Sequence, residues 1–194
     1  PHRSTKVKPR SMLFVDGENL TIRYQSMLQD GRIALPCVVH VEDTLVWSPR
    51  ITRSQYEYLD PVIRVHYYTS VVGDEVRVGE IETQLASQPF SSGGRDEMHN
   101  GQLVPVVFKK ARKSRKTRNV DINIIIDIMR YSFSDAIDRV YLASGDGDYL
   151  PLIQEVMRRG KQVELLAFSS GLNPSLRKSV DAFHSLDDKF FKEG

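Results

Sequence analysis

The sequence has no long hydrophobic run and almost no cysteine. Its longest apolar stretches, IIIDIM and LVPVVF, are far shorter than the roughly 20 residues that a membrane-spanning helix needs, so we expect no membrane segment. Cys37 is the single cysteine, which excludes an internal disulfide and favours a reducing, cytoplasmic location. The basic first residues have no apolar segment behind them, so a secretory signal is not expected.

Several common catalytic and cofactor motifs are also missing. The histidines are His2, His40, His66, His99 and His184, and their spacing is not typical of zinc ligands. Nothing indicates a Ser-His-Asp set. A dinucleotide-binding domain would carry G-x-G-x-x-G after its first strand, and a phosphatase of the haloacid dehalogenase type would carry D-x-D there; this chain has DGEN.

Positive charge is concentrated in one segment, and the rest of the chain is acidic in balance. The chain has 27 Lys or Arg against 25 Asp or Glu, a net charge of +2. Residues 109–118, KKARKSRKTR, hold seven basic residues and no acidic one, which leaves 20 basic against 25 acidic residues elsewhere, a balance of −5. Such a segment can attract a phosphate backbone, although a solvated loop would have the same composition.

Apolar strands alternate with helical patterns along most of the chain. We predict strands at 12–15, 62–69, 102–110, 138–144 and 161–168. Helical spacing follows Gly17, recurs between Gly73 and Gln88, and continues at 150–157 and at 173–183, where Asn173 is the predicted N-cap. This alternation predicts an α/β fold, an open parallel sheet with helices on both faces. Pro105 favours either an edge position for the third strand or a break in it.

The length of 194 residues suits one domain. We predict a single domain over 12–194 behind a flexible basic tail at 1–11. Residues 37–47 predict a hairpin or edge ribbon that could pair with a second copy of the chain to form a homodimer. Residues 87–101 have the composition of a loop.

Segment 119–132 fits two structures. Its β-branched residues favour a strand, whereas its length and the spacing of Val120, Ile124 and Ile128 favour a helix. We predict a helix that is buried on most of its sides.

Carboxylates follow two of the predicted strands. Asp16 ends the first strand, Asp146 and Asp148 follow the fourth in SGDGD, and Asp121 begins helix 119–132. Because the carboxyl ends of parallel strands share one edge of a sheet, we predict that the four carboxylates converge there. Converging like charges require a cation, and hard oxygen ligands suit Mg²⁺ or Mn²⁺, which can activate water for attack on a phosphodiester.

The residues around these acids have structural and functional interpretations. The aspartates of SGDGD could instead cap the next helix, but capping accounts for one of them and not for two together with Asp16. We interpret Gly145 and Gly147 as room for a ligand beside the acids. Asn19 either holds a water or phosphate oxygen or is a polar cap.

Three further polar side chains lie near the four acids in the sequence but are not predicted to bind the metal. Ser144 is placed to hydrogen-bond the acids. Glu18 is predicted to face solvent. Asp127 shares a helix face with Asn123 and Tyr131, and we predict either a structural role for it or a role in supporting the acids without touching a ligand.

Four motifs in this order resemble the NYN domain family: LFVDGENL, KTRNVDINIIIDIM, YLASGDGDYLPLIQEVMRRGKQVELLAF and NPSLRKSVDAF. That family belongs with the PIN-like ribonucleases and includes the LabA-like bacterial proteins, and the resemblance covers about residues 12–187. It implies a PIN-like (Rossmannoid) open sheet of five parallel strands in the order 3-2-1-4-5. It also implies metal-dependent endonuclease chemistry on RNA, single-stranded or structured.

The resemblance assigns roles by motif. Asp16, Asp121, Asp146 and Asp148 would be the catalytic ligands of Mg²⁺ or Mn²⁺, and Asn19 would support the site. The basic segment would contact RNA through Lys109, Lys110, Arg112, Lys113, Arg115, Lys116 and Arg118. Segments 32–60 and 88–101 look like insertions relative to shorter family members, and we interpret them as shaping the substrate groove.

Two other functions fit parts of the pattern. A non-catalytic RNA-binding or regulatory NYN module would keep the basic segment and bind RNA without cutting it, but the full acidic set argues against it. A toprim-type phosphoryl-transfer site also uses an acid after the first strand and D-x-D after a later one. Toprim sites use Glu after the first strand, where this chain has Asp16.

Overall fold

A computed structural model describes residues 8–53, 59–94, 97–111 and 118–193. Its strands are β1 (Ser11–Asp16), β2 (Val39–Val41), β3 (Leu45–Trp47), β4 (Val62–Val72), β5 (Pro89–Gly94), β6 (Glu97–Gln102), β7 (Val104–Lys110), β8 (Arg139–Ala143), β9 (Gln162–Ala167) and β10 (Ala182–Ser185). Its helices are α1 (Gly17–Gln29), α2 (Glu75–Ala86), α3 (Arg118–Phe133), α4 (Leu150–Arg158), α5 (Pro174–Lys178) and α6 (Asp187–Phe190). A 3₁₀ turn, Gly147–Tyr149, precedes α4.

Six strands form one open sheet in the order β7-β4-β1-β8-β9-β10. Every neighbouring pair in it is parallel. The α/β prediction and the five predicted strands are confirmed in the order 3-2-1-4-5, with β7 at the edge as Pro105 indicated. The predicted sheet was one strand short, because β10 adds a sixth strand beside β9.

Two apolar layers cover the two faces of the sheet. One contains Leu20 of α1, Trp47 of β3 and Leu85 of α2. The other contains Ile124 of α3 and Ile153 of α4. Burial of these side chains positions the helix starts at the carboxyl edge of the sheet.

The predicted hairpin at 37–47 is confirmed as β2 and β3, with Leu45, Val46 and Trp47 fully buried. The hydroxyl of Tyr67 accepts from the Val46 amide and donates to its carbonyl, which fixes the ribbon on the sheet. Whether the ribbon pairs with a second copy stays a prediction.

The predicted loop at 87–101 is wrong. Strands β5 and β6 form an antiparallel hairpin there. Phe90 is buried against Gly101, where a Cβ would stand 2.7 Å from the phenyl ring, and Gly93 takes a φ of +95°. The polar composition hid the strands because their pairing depends on one aromatic anchor and on glycines at close contacts.

The predicted helix at 173–183 is confirmed in its first half and wrong in its second half. Asn173 caps α5 as predicted, accepting from the amides of Ser175 and Leu176. The helix ends at Lys178, and Phe183 lies in β10. Asp181 explains the change, because its amide donates to the Val163 carbonyl and its carboxylate accepts from the Val163 amide, which draws the chain into the sheet.

The helix prediction for 119–132 is confirmed by α3, but only one side of α3 is buried, through Val120, Ile124 and Ile128. The prediction of a flexible tail at 1–11 falls largely on residues 1–7, which lie outside the described parts of the chain. No helix among the described residues has the length and apolarity needed to cross a bilayer.

Candidate active site

Asp16 is fully buried at the carboxyl end of β1. One of its oxygens, Oδ1, accepts from the Asn19 amide at 3.0 Å and so caps α1. The other, Oδ2, accepts from the Ser144 hydroxyl at 3.0 Å. A buried carboxylate needs such donors to remain charged, so this network holds Asp16 in one orientation.

Tyr149 brings the carboxylates of Asp16 and Asp121 together. Its hydroxyl lies 3.2 Å from Asp16 Oδ2 and 2.9 Å from Asp121 Oδ1 on the first turn of α3. A tyrosine hydroxyl carries one proton, so it can donate to only one of the two carboxylates at a time. The pair therefore shares a single donor at this point.

Burial raises the pKa of the Tyr149 hydroxyl, and the nearby charges of Asp16 and Asp121 raise it further. The phenol consequently stays protonated and acts as a hydrogen-bond donor across the physiological pH range. Tyr149 was missed in the sequence analysis. Its position directly after SGDGD was the available signal, but an aromatic residue there looks like an ordinary core residue.

The SGDGD turn divides its two aspartates between different environments. Asp146 is half-buried and accepts from the Asp148 amide at 3.0 Å, capping the 3₁₀ turn. Its own amide donates to the Ser144 hydroxyl at 3.2 Å, which links it to the network of Asp16. Asp148 is exposed. The structure therefore joins the carboxylates of Asp16 and Asp121 in one network, links Asp146 to it through its backbone amide, and leaves Asp148 exposed.

The glycines of this turn make room for protein and not for a ligand. A Cβ on Gly147 would stand 2.3 Å from the Asn173 amide nitrogen, and a Cβ on Gly145 would stand 3.2 Å from the Gly171 carbonyl oxygen. Our interpretation of the glycines as ligand space was wrong, because the loop before α5 occupies that space.

Asn19 connects α1 to the turn. It is buried, and its side-chain oxygen accepts from the Gly145 amide at 3.0 Å. The prediction that Ser144 hydrogen-bonds the acids is confirmed. Together Asn19 and Ser144 fix the carboxyl ends of β1 and β8 relative to each other.

Glu18 does not face solvent as predicted. It is buried, accepts from the Ser70 hydroxyl and lies 3.6 Å from the Lys110 ammonium, whose side chain is only 12% exposed. An acid in the first turn of α1 thus anchors the end of β7, a contact between distant residues that the local sequence does not encode.

Asp127 has the structural role that was predicted. It accepts from the Tyr68 hydroxyl at 2.7 Å and pairs with Arg130 at 2.9 Å. Burial, together with the Asp127 hydrogen bond, raises the pKa of Tyr68.

The described residues contain no group of three or more His, Cys, Asp or Glu side chains that could hold a metal ion. The chemistry of the donors is nevertheless suited to one, since Asp16, Asp121 and Asp146 offer hard carboxylate oxygens. Two of these carboxylates already meet at a single hydroxyl. The carboxylates of these three aspartates are therefore ligands of the type that Mg²⁺ and Mn²⁺ prefer.

The basic segment is described only at its ends. Lys109 is half-exposed and lies 3.4 Å from Glu75, and Arg118 is exposed at the start of α3. Lys110 is held beside Glu18. The remaining predicted RNA contacts, Arg112, Lys113, Arg115 and Lys116, lie outside the described residues.

Comparison with known proteins decides the family. The NYN domain model matches residues 10–187, nearly the whole chain. The chain belongs to the NYN domain family. NYN domains are part of the PIN-like nuclease superfamily, so the resemblance seen in the sequence is confirmed.

Two individual relatives of this NYN domain are also informative. An uncharacterized protein of Methanocaldococcus jannaschii is 26% identical over 72 residues, which is 37% of this chain and only 30% of the archaeal protein. The crystal structure of a protein of unknown function from Vibrio parahaemolyticus superposes with a TM-score of 0.62 at 16% identity, covering 97% of this chain and 99% of the other. The second likeness shows the fold of this NYN domain.

Proposed function

We propose that this NYN domain is a metal-dependent endoribonuclease that hydrolyses phosphodiester bonds of RNA. The observation that carries the proposal is the meeting of Asp16 and Asp121 at the Tyr149 hydroxyl. This meeting lies at the carboxyl edge of an open parallel sheet, where ligands of such sheets bind. Membership of the NYN family supports a nuclease activity. The meeting of the two carboxylates supports a metal-dependent mechanism for it.

Asp16, Asp121 and Asp146 would hold Mg²⁺ or Mn²⁺, with the exposed Asp148 facing the incoming substrate. When bound, the metal supplies an activated water and stabilises charge on the leaving oxygen of the phosphodiester. The contribution of the chain is to keep these carboxylates together at an edge that RNA can reach.

The surrounding residues orient the carboxylates. Ser144 donates to Asp16, and Asn19 ties α1 to the SGDGD turn. Tyr149 holds Asp16 and Asp121 at a fixed separation and supplies one proton between them. These are positioning residues, because they act through the acids.

The ends of the basic segment support RNA as the substrate class. Arg118 begins α3, three residues before Asp121, so a phosphate backbone drawn to Arg118 would pass close to the carboxylates. Lys109 adds a second exposed cation at the end of β7.

The proposal is tested by cleavage of end-labelled single-stranded RNA with Mn²⁺ and with EDTA. Wild type should cut only with the metal, and Asp146→Asn should cut at least about 100-fold more slowly, as expected when charge stabilisation in an active site is lost. Asp30→Asn, at an exposed position after α1, is the matched control and should cut like wild type. Wild-type rates for Asp146→Asn would show that the site is misassigned.

A non-catalytic RNA-binding module is the second candidate. It is favoured by one observation, that Asp16 and Asp146 both serve as caps of the helical segments that follow them. The same experiment separates the two functions. Salt-sensitive RNA binding without cleavage, on several RNAs with Mn²⁺, would establish the binding module and reject the nuclease.

A further inference from the structure

Helix α3 is apolar on the side that faces away from the sheet. Its inner side buries Val120, Ile124 and Ile128. Its outer side exposes three large apolar side chains: Ile122 is 49% exposed, Ile126 45% and Phe133 40%. Polar residues such as Asp121, Asn123 and Arg130 lie between these two apolar sides. An exposed apolar stripe of this kind marks a candidate interaction surface.

The outer residues form a regular seam, which we call the α3 seam: Ile122, Ile126, Met129 and Phe133. Met129 is half-buried, packs in part against the apolar layer of Ile124 and Ile153, and completes the line. The intervals between the four are four, three and four residues, which is the alternation of a and d positions in a coiled coil. At about 100° per residue, the four side chains lie within a narrow stripe opposite the buried Ile124.

The seam is symmetric about its own centre. Reversing the direction of the helix reproduces the same intervals, so two antiparallel copies place Ile122 against the partner's Phe133 and Ile126 against the partner's Met129. An interface of this kind is isologous, since each patch is complementary to itself under a two-fold axis.

The charges at the two ends of α3 agree with the antiparallel direction. Arg118 is exposed at the start of the helix. The Asp135 side chain just beyond the helix end is 84% exposed and forms an ion pair with Lys161 at 2.7 Å. Antiparallel pairing brings Arg118 near the partner's Asp135, opposite in sign, whereas parallel pairing brings Arg118 near the partner's Arg118. The four seam side chains are uncharged, and the guanidinium of Arg159 lies 4.1 Å from the centre of the Phe133 ring at one end of the seam.

We propose that two copies of this chain associate through the α3 seam, in antiparallel register about a two-fold axis. The seam spans roughly 16 Å, from Ile122 to Phe133, at about 1.5 Å per residue. An interface of one helix pair is at the small end of the range for stable dimers, so the dimer dissociates readily on dilution.

Sedimentation velocity over protein concentrations up to about 100 µM tests the proposal, because small interfaces need high concentration to form. Wild type should shift from monomer to dimer, and Ile126→Lys should stay monomeric, since it places a charge in the seam. Val76→Lys is the matched control, because Val76 is 69% exposed on α2, outside the seam. Monomeric wild type throughout, or a dimer that survives Ile126→Lys, would overturn the proposal.

Disulfide cross-linking tests the direction of pairing. In a Cys37→Ser background, chains carrying Ile122→Cys and chains carrying Phe133→Cys are oxidised separately and as a mixture. Antiparallel pairing predicts a cross-linked dimer only in the mixture, because like positions stand roughly 16 Å apart along the axis. Cross-linking within one variant alone, or none in the mixture, would contradict the proposed register. Neither experiment measures RNA cleavage. The dimer proposal can therefore be contradicted while the nuclease proposal stands, and the reverse also holds.

Discussion

Tyr149 shows how a single hydroxyl can organise two acids. Its ring is buried in the core layer that contains α3 and α4, while its hydroxyl reaches Asp16 and Asp121. The sequence predicted both acids from their places after a strand and at a helix start. It did not predict Tyr149, because the hydroxyl contacts depend on how α3 packs over the sheet.

Replacing Tyr149 by Phe should lower the free energy of unfolding by about 1–2 kcal/mol, because a buried charged acceptor loses a donor while the ring still packs. Urea denaturation measures the change. Tyr24→Phe is the control, since the Tyr24 ring is also buried but its hydroxyl makes no hydrogen bond to any residue that the structure describes. Equal effects of the two substitutions would show that the Tyr149 hydroxyl does not hold the acids.

Because His66 is buried, we predict that the free energy of unfolding depends on pH. The His66 side chain lies between the rings of Phe14 and Tyr131, with Tyr68, Asp127 and Arg64 as its polar neighbours. Burial lowers its pKa, Asp127 partly opposes this, and Arg64 lowers the pKa further. Below the pKa of the unfolded chain, about 6.5, the unfolded chain binds a proton that the folded one resists, so acidification favours unfolding.

Urea midpoints at about pH 7.5 and about pH 5.5, on either side of the ordinary histidine pKa, measure this dependence. Wild type should lose stability at the lower pH. His66→Phe, which keeps a ring and removes the titration, should lose less. The same loss in both proteins would assign the pH dependence to other groups.

The elements of the fold follow the sequence where the pattern is strong and local. Strands β1 and β8 are short apolar runs, and α4 has its apolar residues on one face, so their positions were predictable. Strand β10 was not, because the contacts between Asp181 and Val163 that start it join residues 18 positions apart. The pairing of Glu18 with Lys110 was unpredictable for the same reason.

The approach of α1 to β4 depends on Gly17. A Cβ at this position would stand 2.6 Å from the Tyr68 carbonyl oxygen and 2.4 Å from the Tyr67 ring. The backbone of β4 cannot move aside without disturbing its pairing with β1. Gly17→Ala should therefore destabilise the fold by about 1–3 kcal/mol or more, as overpacked cores do.

Gly79 in α2 is the matched control for Gly17. A Cβ at Gly79 meets nothing within 4 Å. Gly79→Ala should stabilise the protein by about 0.5–1 kcal/mol, because alanine loses less backbone entropy in a helix. Thermal unfolding of both variants measures the contrast, and opposite signs are expected. A tolerated Gly17→Ala would contradict the close packing of α1 on β4.

At the scale of the whole molecule, the charge distribution sets how RNA approaches. The chain outside 109–118 has a net acidic balance, which disfavours RNA on average, and the basic segment favours it. Lys109 and Arg118 are exposed at the two ends of the segment, and Lys109 pairs with the exposed Glu75, whereas Lys110 is largely buried beside Glu18.

Binding of single-stranded RNA should weaken steeply with salt. Lys109→Ala and Arg118→Ala should each flatten the slope of log K against log salt by about 0.7, the value expected for one phosphate contact on a single strand. Lys110→Gln should leave the slope unchanged, because the Lys110 side chain is only 12% exposed and its partner Glu18 is buried, whereas the Lys109–Glu75 pair is exposed to solvent. Fluorescence anisotropy at several salt concentrations gives the three slopes. A Lys110→Gln slope as flat as the other two would show that Lys110 leaves Glu18 to bind RNA.

The most direct test of the account is the single-turnover rate of RNA cleavage as Mn²⁺ is titrated, for wild type and Asp121→Asn. We predict no cleavage in EDTA, a rate for wild type that rises to a plateau with Mn²⁺, and a lower plateau or a higher metal requirement for Asp121→Asn. Equal wild-type rates in EDTA and in Mn²⁺, or identical titrations of the two proteins, would contradict a metal-dependent site built on Asp16 and Asp121.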